Sequence, residues 1–192
     1  MRDNRITILV EIGLTLALAA VLNTVKVFEM PQGGTVSLVM LPLIVLAVRR
    51  GAGVGVLAGI LYGVIDVMID PFVVHWAQFL LDYPVAYGAV GLSGLLAGVV
   101  KSGIAQGRIT RALMIGLVPA VILGAFARYA AHVASGVVFF AEFAEGQPVL
   151  AYSAVYNLYV AVSAAACLAA AVVLVPTLER TVPAPLTTRR SA

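Results

Sequence analysis

The chain has 192 residues, of which 62% are apolar and only 11% are charged, and its formal net charge is +3. A water-soluble domain carries about 25% charged residues, so this composition and a mean hydropathy of +1.06 exclude an ordinary soluble fold. The positive residues are dispersed in loops, which argues against a nucleic-acid-binding face. We therefore expect a single all-α integral membrane domain.

Six apolar blocks follow one another along the chain and predict six transmembrane helices. They cover residues 6–25, 36–48, 52–69, 77–100, 112–138 and 149–175. A membrane-crossing helix needs about 20 residues, and the second block is shorter than this and contains Pro42. We expect it to cross only if the extended segment 31–35 completes the depth while neighbouring helices bury it.

Charge favours a crossing by the second block. If it crosses, every positive cluster lies on one side, and the acidic loop residues lie on the other side with Lys26 as the one exception. Positive loops stay cytoplasmic, so both termini are predicted to be cytoplasmic. Residues 1–175 would form the six-helix domain, and residues 176–192, rich in Pro, Thr and Arg, a flexible cytoplasmic tail. The positive clusters are Arg2 and Arg5, Arg49 and Arg50, Lys101 with Arg108 and Arg111, and Arg180 with Arg189 and Arg190.

Polar residues within the apolar blocks are costly in lipid and raise functional questions. Asp82 either attracts a cation arriving from outside or pairs with Arg128 to join two helices. His132, Gly136 and Phe140 share one helical face, where the glycine leaves a hollow that could admit a flat ring. The alternative for His132 is a hydrogen bond between helices.

The last block begins with Tyr152 and Asn157. A tyrosine at this depth is either a site residue or part of the interfacial belt, whereas the deeper Asn157 amide needs hydrogen-bonding partners. In the first block Gly13 and Ala17 are four residues apart, a spacing that lets another helix approach closely or serves internal packing.

Three further ionisable residues lie within the blocks. Glu11 and Asp66 are either buried pairing partners or part of a docking surface, and Arg128 is interpreted as a structural counter-charge to Asp66 or Asp82.

The sequence predicts neither a cofactor nor a metal site. The single cysteine, Cys167, lies in an alanine-rich run, and no set of side chains has metal-ligand spacing. The chain also lacks the GxxxxGK[ST] phosphate-binding motif, so any ATP-driven work would be done by a partner.

An ordered set of short motifs resembles one known family. The motifs are Met30-Pro31-Gln32-Gly33-Gly34-Thr35-Val36-Ser37-Leu38, Arg49-Arg50-Gly51, Leu81-Asp82-Tyr83-Pro84, Arg128…His132…Gly136…Phe140 and Tyr152…Asn157. From about residue 11 to residue 175 the chain resembles the thiamine-specific substrate-binding (S) component of energy-coupling factor (ECF) transporters. The resemblance implies a six-helix fold of the bacterial plasma membrane, with a ligand pocket near the outside.

The resemblance also implies residue roles and partners. Gly33 and Gly34 would belong to a lid, and Gly13 and Ala17 to the surface that docks on a transmembrane coupling component, which works with two cytoplasmic ATPases. Substrate contacts would come from Asp82, Tyr83, His132, Gly136, Phe140, Tyr152 and Asn157.

The chain departs from the family pattern in one respect. The family often supplies a stacking tryptophan between helices five and six, whereas this chain has Phe139, Phe140 and Phe143 there and its single tryptophan at Trp76.

The expected function is therefore high-affinity capture of thiamine by a membrane subunit that is not an enzyme. A carboxylate suits the cationic thiazolium, and aromatic faces suit the flat rings. Three alternatives stay open at this point. One is an S component for another vitamin or a thiamine precursor, the second is an intramembrane enzyme using Asp82 and His132 as acid and base, and the third is a stand-alone carrier.

Overall fold

The computed structural model describes residues 2–184, with side chains from residue 5 onward, and this part of the chain is almost entirely helical. The expected all-α class is confirmed. Five of the six main helices are long and apolar enough to cross a membrane, and α2 is the shorter exception. The helices are α1 (Arg2–Asn23), α2 (Met40–Arg50), α3 (Ala52–Ile69), α4 (Trp76–Ala105), α5 (Ile109–Phe139) and α6 (Val149–Thr181).

Three of these helices contain local irregularities. Helix α4 begins with an α-helical turn at Trp76–Leu80, passes through a π-helical turn at Leu81–Val85, and includes a 3₁₀ segment at Gly91–Leu96. Pro84 lies inside the π turn, where its missing N–H disrupts the regular ladder. Helix α5 has a π turn at Ala112–Leu117. Helix α6 turns at Asn157 and Leu158, between α-helical runs. The widened turn of α4 carries Asp82 and Tyr83.

A two-stranded antiparallel hairpin connects α1 and α2. Its strands are β1 (Phe28–Glu29) and β2 (Thr35–Val36), with Phe28 opposite Val36. A further short 3₁₀ segment, Ala141–Ala144, lies between α5 and α6.

Helix α2 occupies the centre of the bundle although its 11 residues extend only about 16 Å. Ten of those residues are buried, and α2 packs against α1, α3, α4 and α6. The extended chain before it is supported by α6, where the Ser163 hydroxyl accepts a hydrogen bond from the Ser37 N–H at 3.2 Å and donates to the Thr35 carbonyl at 3.4 Å. Backbone polar groups need such internal partners at membrane depth.

Helices α3 and α4 approach each other closely through a row of glycines on α3. Gly55, Gly59 and Gly63 face the α4 backbone, and a Cβ added at Gly63 would lie 2.5 Å from the carbonyl carbon of Tyr83. Small residues at this spacing permit close packing in membranes. In contrast, Gly13 of α1 has no atom within 4 Å of an added Cβ, and Ala17 is exposed. The glycine contacts also fix the π turn of α4 against α3.

A charged cluster joins the helices at the end of the bundle opposite the hairpin. Arg50 donates to both carboxylate oxygens of Glu11, at 2.5 and 2.7 Å. Arg49 pairs with Glu179 at 3.0 Å, and Lys101 lies 3.7 Å from the same carboxylate. Glu11 is therefore an ion-pair partner, which settles one alternative left open by the sequence. Removing one partner of such a buried pair leaves an uncompensated charge.

The domain division predicted at residue 175 stays a prediction, and helix α6 runs past it. Helix α6 continues to Thr181 with Pro176 inside it, and Glu179 is buried in the charged cluster. The composition suggested a tail here, but the contact of Glu179 with Arg49 keeps this last stretch helical and packed. The remainder of the predicted flexible tail, from residue 185 to residue 192, lies outside the described residues.

Candidate functional site

A cavity of about 330 Å³ lies between the α1–α2 hairpin and the adjoining ends of α3, α4, α5 and α6. This volume is within the range of small-molecule sites, about 300–1,000 Å³. All seven residues predicted as substrate contacts line the cavity, and so do both predicted lid glycines. They are Asp82, Tyr83, His132, Gly136, Phe140, Tyr152, Asn157, Gly33 and Gly34. The two predicted docking residues, Gly13 and Ala17, lie elsewhere on α1.

Asp82 is the centre of a hydrogen-bond cluster on one wall. Its Oδ1 lies 2.9 Å from His132 Nδ1, and its Oδ2 accepts from Gln78 Nε2 at 2.8 Å and from the Ser135 hydroxyl at 2.7 Å. Gln78 and Ser135 are buried, and helical spacing places Gln78 one turn before Asp82. The cluster orients the carboxylate towards the cavity through three side-chain contacts.

Arg128 does not pair directly with an acid. Its Nε–H donates to His132 Nε2 at 3.2 Å, and its guanidinium carbon lies 4.2 Å from the centre of the Tyr87 ring. Within residues 5–184 no ion pair joins Arg128 to Asp66 or Asp82. Arg128 therefore contacts His132 and Tyr87 instead of forming a direct ion pair with either acid, and its interpretation as a structural counter-charge stays a prediction.

Asp66 lies on the deep wall and is held by neutral donors. Asn23 Nδ2 donates to its Oδ1 at 3.0 Å, and the Tyr62 hydroxyl donates to the same oxygen at 3.1 Å. The bond from Asn23 joins α1 to α3 beneath the cavity, whereas the bond from Tyr62 lies within α3. Asp66 is therefore a buried pairing partner rather than a residue of an outer docking surface.

The cavity lining carries more negative than positive charge. Four acidic residues line it, and Arg128 is the single lysine or arginine among its described lining residues. At the rim, Lys26 pairs with Asp70 at 2.6 Å and with Glu29 at 2.9 Å, and hydrogen bonds to these two carboxylates raise the pKa of Lys26. Lys26 was the exception in the charge pattern, and its acidic neighbours explain its position. The four acids are Glu29, Asp66, Asp70 and Asp82.

Phenylalanines supply the flat apolar wall. The rings of Phe72 and Phe140 stack with centroids 5.9 Å apart, and Phe143 lies 6.2 Å from Phe140. Trp76 is 70% exposed and does not line the cavity. Phe72 thus supplies a second aromatic face beside Phe140. Sequence reasoning missed it because the segment between α3 and α4 has no helical periodicity.

Gly136 lines the cavity and lies against side chains of helix α6. Instead of leaving an open hollow, it admits side chains of α6, since a Cβ there would overlap the Ser153 hydroxyl and lie 3.6 Å from Asn157 Nδ2. Asn157 Nδ2 donates to the Ser153 carbonyl at 2.9 Å, which leaves its carbonyl oxygen as a polar group of the cavity wall. Gly136 therefore lets α6 bring Asn157 to the site.

The hairpin covers the cavity and is anchored to α6 by a tyrosine. The Tyr156 hydroxyl accepts from the Gln32 backbone N–H at 2.8 Å and donates to the Gly33 carbonyl at 3.0 Å. Gly33 and Gly34 have φ angles of +81° and +95°, which favour glycine. Tyr156 also packs on Tyr152, with ring centroids 5.9 Å apart.

Gln32 is a second lining residue that the sequence did not single out. Its side-chain carbonyl oxygen is buried and, within the described part of the chain, has no hydrogen-bond partner. Such an acceptor costs free energy unless a partner satisfies it. Its place in the hairpin puts this unpaired acceptor on the cavity wall.

Tyr83 connects the cavity wall to the segment between α3 and α4, which forms one side of the cavity. Its hydroxyl donates to the Asp70 carbonyl at 3.1 Å and accepts from the Phe72 N–H at 2.8 Å. The side chain is buried, so Tyr83 positions Phe72 as well as lining the cavity.

Comparison with known proteins agrees with this geometry. The sequence model of the family described as "Thiamine transporter protein" matches residues 9–183, almost the full length. This chain belongs to the thiamine transporter family.

Individual members of the thiamine transporter family support the assignment. The thiamine transporter ThiT of Bacillus subtilis (strain 168) is 42% identical over 153 residues, covering 78% of this chain and 79% of the relative. ThiT of Lacticaseibacillus paracasei is 32% identical over 123 residues, or 62% and 61% of the two chains. The solved structure of ThiT from Listeria monocytogenes superposes with a TM-score of 0.79 at 26% identity, covering 93% of this chain and 96% of that one.

Membership of the thiamine transporter family confirms the resemblance and the expected transport class. The chain is a multi-pass protein of the bacterial plasma membrane, as its apolar helices and bacterial relatives indicate. It is a transport protein rather than an acid–base enzyme.

Proposed function

We propose that this protein is the thiamine-binding subunit of an ATP-driven uptake transporter, capturing thiamine from outside and docking on a coupling module. The observation that carries the ligand assignment is a lining with four acids and one arginine beside stacked phenylalanines. Thiamine combines a permanent cation with a flat aminopyrimidine, so it requires both features.

Each part of the ligand has suitable groups in the wall. Asp82 would face the cationic side of thiamine, Phe72 and Phe140 would contact its rings, and His132 would orient Asp82. Asn157 and Tyr152 would supply hydrogen bonds to the pyrimidine edge. Gly33 and Gly34 would close over the ligand as the lid, which Tyr156 anchors.

The proposed topology has six crossings with both termini in the cytoplasm. Helix α2 would cross together with the extended segment before it, whose backbone is supported by Ser163. The cavity then faces outside, and the charged cluster of Arg49, Arg50 and Lys101 lies at the cytoplasmic end, as positive residues prefer.

Cysteine labelling in intact cells checks this topology in a Cys167→Ser background. We expect Glu142→Cys to react with a membrane-impermeant maleimide, while Gly53→Cys and Gln106→Cys react only after the cells are permeabilised. All three positions are exposed in the fold. Labelling of Gly53→Cys from outside would place the α2–α3 turn on the wrong side and contradict a crossing by α2.

The proposed partners are a transmembrane coupling component and two cytoplasmic ATPases. The sequence has no phosphate-binding motif of its own, and a row of apolar and small residues on α1 faces away from the bundle. Gly13 and Ala17 lie in that row, next to the exposed Leu14 and Leu18 respectively. Small residues there would let a partner helix approach closely.

A calorimetric titration of the purified protein with thiamine, riboflavin, pyridoxine and biotin tests the ligand assignment. We expect tight binding of thiamine alone, with the ligand recovered unchanged. A signal from a different vitamin would keep the binding role and change the cargo. Absence of binding across the panel by folded protein would overturn the proposed function.

Gly13→Leu is expected to leave the dissociation constant for thiamine unchanged and to reduce uptake severalfold in cells that contain the coupling module. The added side chain meets no atom of this chain but would crowd a partner helix. Gly98→Leu on α4 is the matched control, since that glycine is also exposed with no atom within 4 Å. Equal uptake by the two variants would remove Gly13 from the docking surface.

A further inference from the structure

The contact between Arg128 and His132 is directional. Arg128 donates its Nε–H to His132 Nε2 at 3.2 Å, and both side chains are buried. A guanidinium carries only donors, so His132 Nε2 must offer a lone pair. The imidazole proton therefore resides on Nδ1, which donates to Asp82 Oδ1 at 2.9 Å.

The same contact excludes a protonated His132. An imidazolium carries N–H groups on both ring nitrogens and would set one of them against the Arg128 N–H. Arginine stays charged at every accessible pH, and the Tyr87 ring, 4.2 Å from the guanidinium carbon, holds it in place. As long as Arg128 occupies this position, His132 stays neutral.

Charged and titratable groups surround His132 on three neighbouring helices. Helix α4 contributes Asp82 and Tyr87, α3 contributes Asp66, and α6 contributes Tyr159, whose ring centroid lies 6.0 Å from the imidazole. Asp66 already accepts from Asn23 and Tyr62. The other two donors to Asp82 are neutral Gln78 and Ser135. With neutral His132, Asp82 has three donors and no cationic partner among residues 5–184.

We propose that Arg128 is a positioning residue that fixes the neutral, Nδ1-protonated tautomer of His132 and thereby keeps Asp82 an uncompensated anion for a cationic ligand. The ligand's charge rests on the proposed function, whereas the tautomer does not. Without Arg128, acidification would convert the pair into imidazolium and carboxylate. That internal ion pair would compete with the ligand for the charge of Asp82.

The tautomer can be measured directly, without ligand, by ¹⁵N NMR of histidine-labelled protein in micelles. The chain has two histidines, and His75→Gln removes the exposed one, which does not line the cavity. We expect a protonated Nδ1 and an unprotonated Nε2 from about pH 8 to about pH 6. A proton on Nε2, or an imidazolium at neutral pH, would overturn the proposal whether or not thiamine is the ligand.

A second experiment measures the pH dependence of thiamine affinity and compares Arg128→Gln with Arg128→Lys. Glutamine can also accept a hydrogen bond and so tolerates imidazolium, whereas lysine remains a cationic donor. We expect thiamine affinity to be nearly constant between about pH 8 and about pH 6 in wild type and Arg128→Lys. In Arg128→Gln it should fall on acidification, by up to about tenfold per pH unit, the limit for one linked proton.

The double variant Arg128→Gln with His132→Asn provides the control for this pH dependence. It should have weaker affinity but the pH profile of wild type, because the competing proton has no site. Titration of thiamine itself is common to all variants and cancels in the comparison. A flat profile in Arg128→Gln, or a slope that persists in the double variant, would contradict the role of Arg128. If Arg128→Gln does not fold, the tautomer measurement on the arginine-containing protein decides alone.

Discussion

Asp82→Asn is expected to raise the dissociation constant for thiamine by roughly 10- to 150-fold, equivalent to about 1.5–3 kcal/mol for a buried interaction with a charged group. The change removes the carboxylate that three neutral donors orient towards the cavity. It also turns one acceptor oxygen into an N–H₂ group, so one of those donors loses its partner. Calorimetric titration of both proteins at the same pH measures the difference.

Glu142→Gln is the matched control for Asp82→Asn. It removes one negative charge from the connection between α5 and α6, at an exposed residue that does not line the cavity. Exposed charges interact weakly because water and salt screen them, so its thiamine affinity should equal that of wild type. An unchanged affinity in Asp82→Asn would remove Asp82 from the site. Equal losses in both variants would point to long-range attraction instead of a contact.

Sequence reasoning identified the membrane fold and nine of the residues that line the cavity for physical reasons that can be stated. Apolar blocks about 20 residues long directly predict membrane-spanning helices. Asp82, His132 and Asn157 were conspicuous because each is a polar group in an apolar helix. The short α2 was also recognised, since only a central position with internal backbone partners permits an extended segment beside it. The roles of these residues towards thiamine remain predictions.

The details of the site could not be obtained in this way because they depend on how helices are rotated and shifted against each other. The sequence suggested Arg128 as a partner for Asp82 or Asp66. In the structure, the register of α4 against α5 places Asp82 against His132 Nδ1, and Arg128 contacts the other ring nitrogen, Nε2. Likewise, the sequence predicted a hollow beside Gly136, but in the structure Ser153 of α6 occupies that space. Phe72 lies in an irregular segment, where no periodicity identifies the buried face.

A substitution in the proposed lid is expected to have the second large effect on thiamine binding. Gly34→Ala is expected to weaken thiamine binding by about 2–5 kcal/mol, chiefly through faster dissociation. Of this, about 1–2 kcal/mol comes from placing a side chain at a left-handed backbone position, and about 1–3 kcal/mol from overpacking. The φ angle is +95°, and the new Cβ would lie 2.7 Å from two ring carbons of Tyr159. Tyr159 is buried beside His132, so the hairpin must lift instead.

Two other glycines separate the causes of that loss. Gly107 has a φ angle of +69° and no atom near an added Cβ, so Gly107→Ala in the α4–α5 turn has the backbone strain alone, far from the site. Gly33→Ala, with φ +81° and its nearest neighbour, Phe72, at 3.5 Å, places the same strain within the lid but without a clash.

Release of radiolabelled thiamine into excess unlabelled ligand measures the dissociation rate. Thiamine should dissociate fastest from Gly34→Ala, at an intermediate rate from Gly33→Ala, and at the wild-type rate from Gly107→Ala. Equal rates for Gly33→Ala and Gly34→Ala would show that Tyr159 does not limit the seating of the hairpin, and wild-type rates in both would remove the hairpin from the binding site.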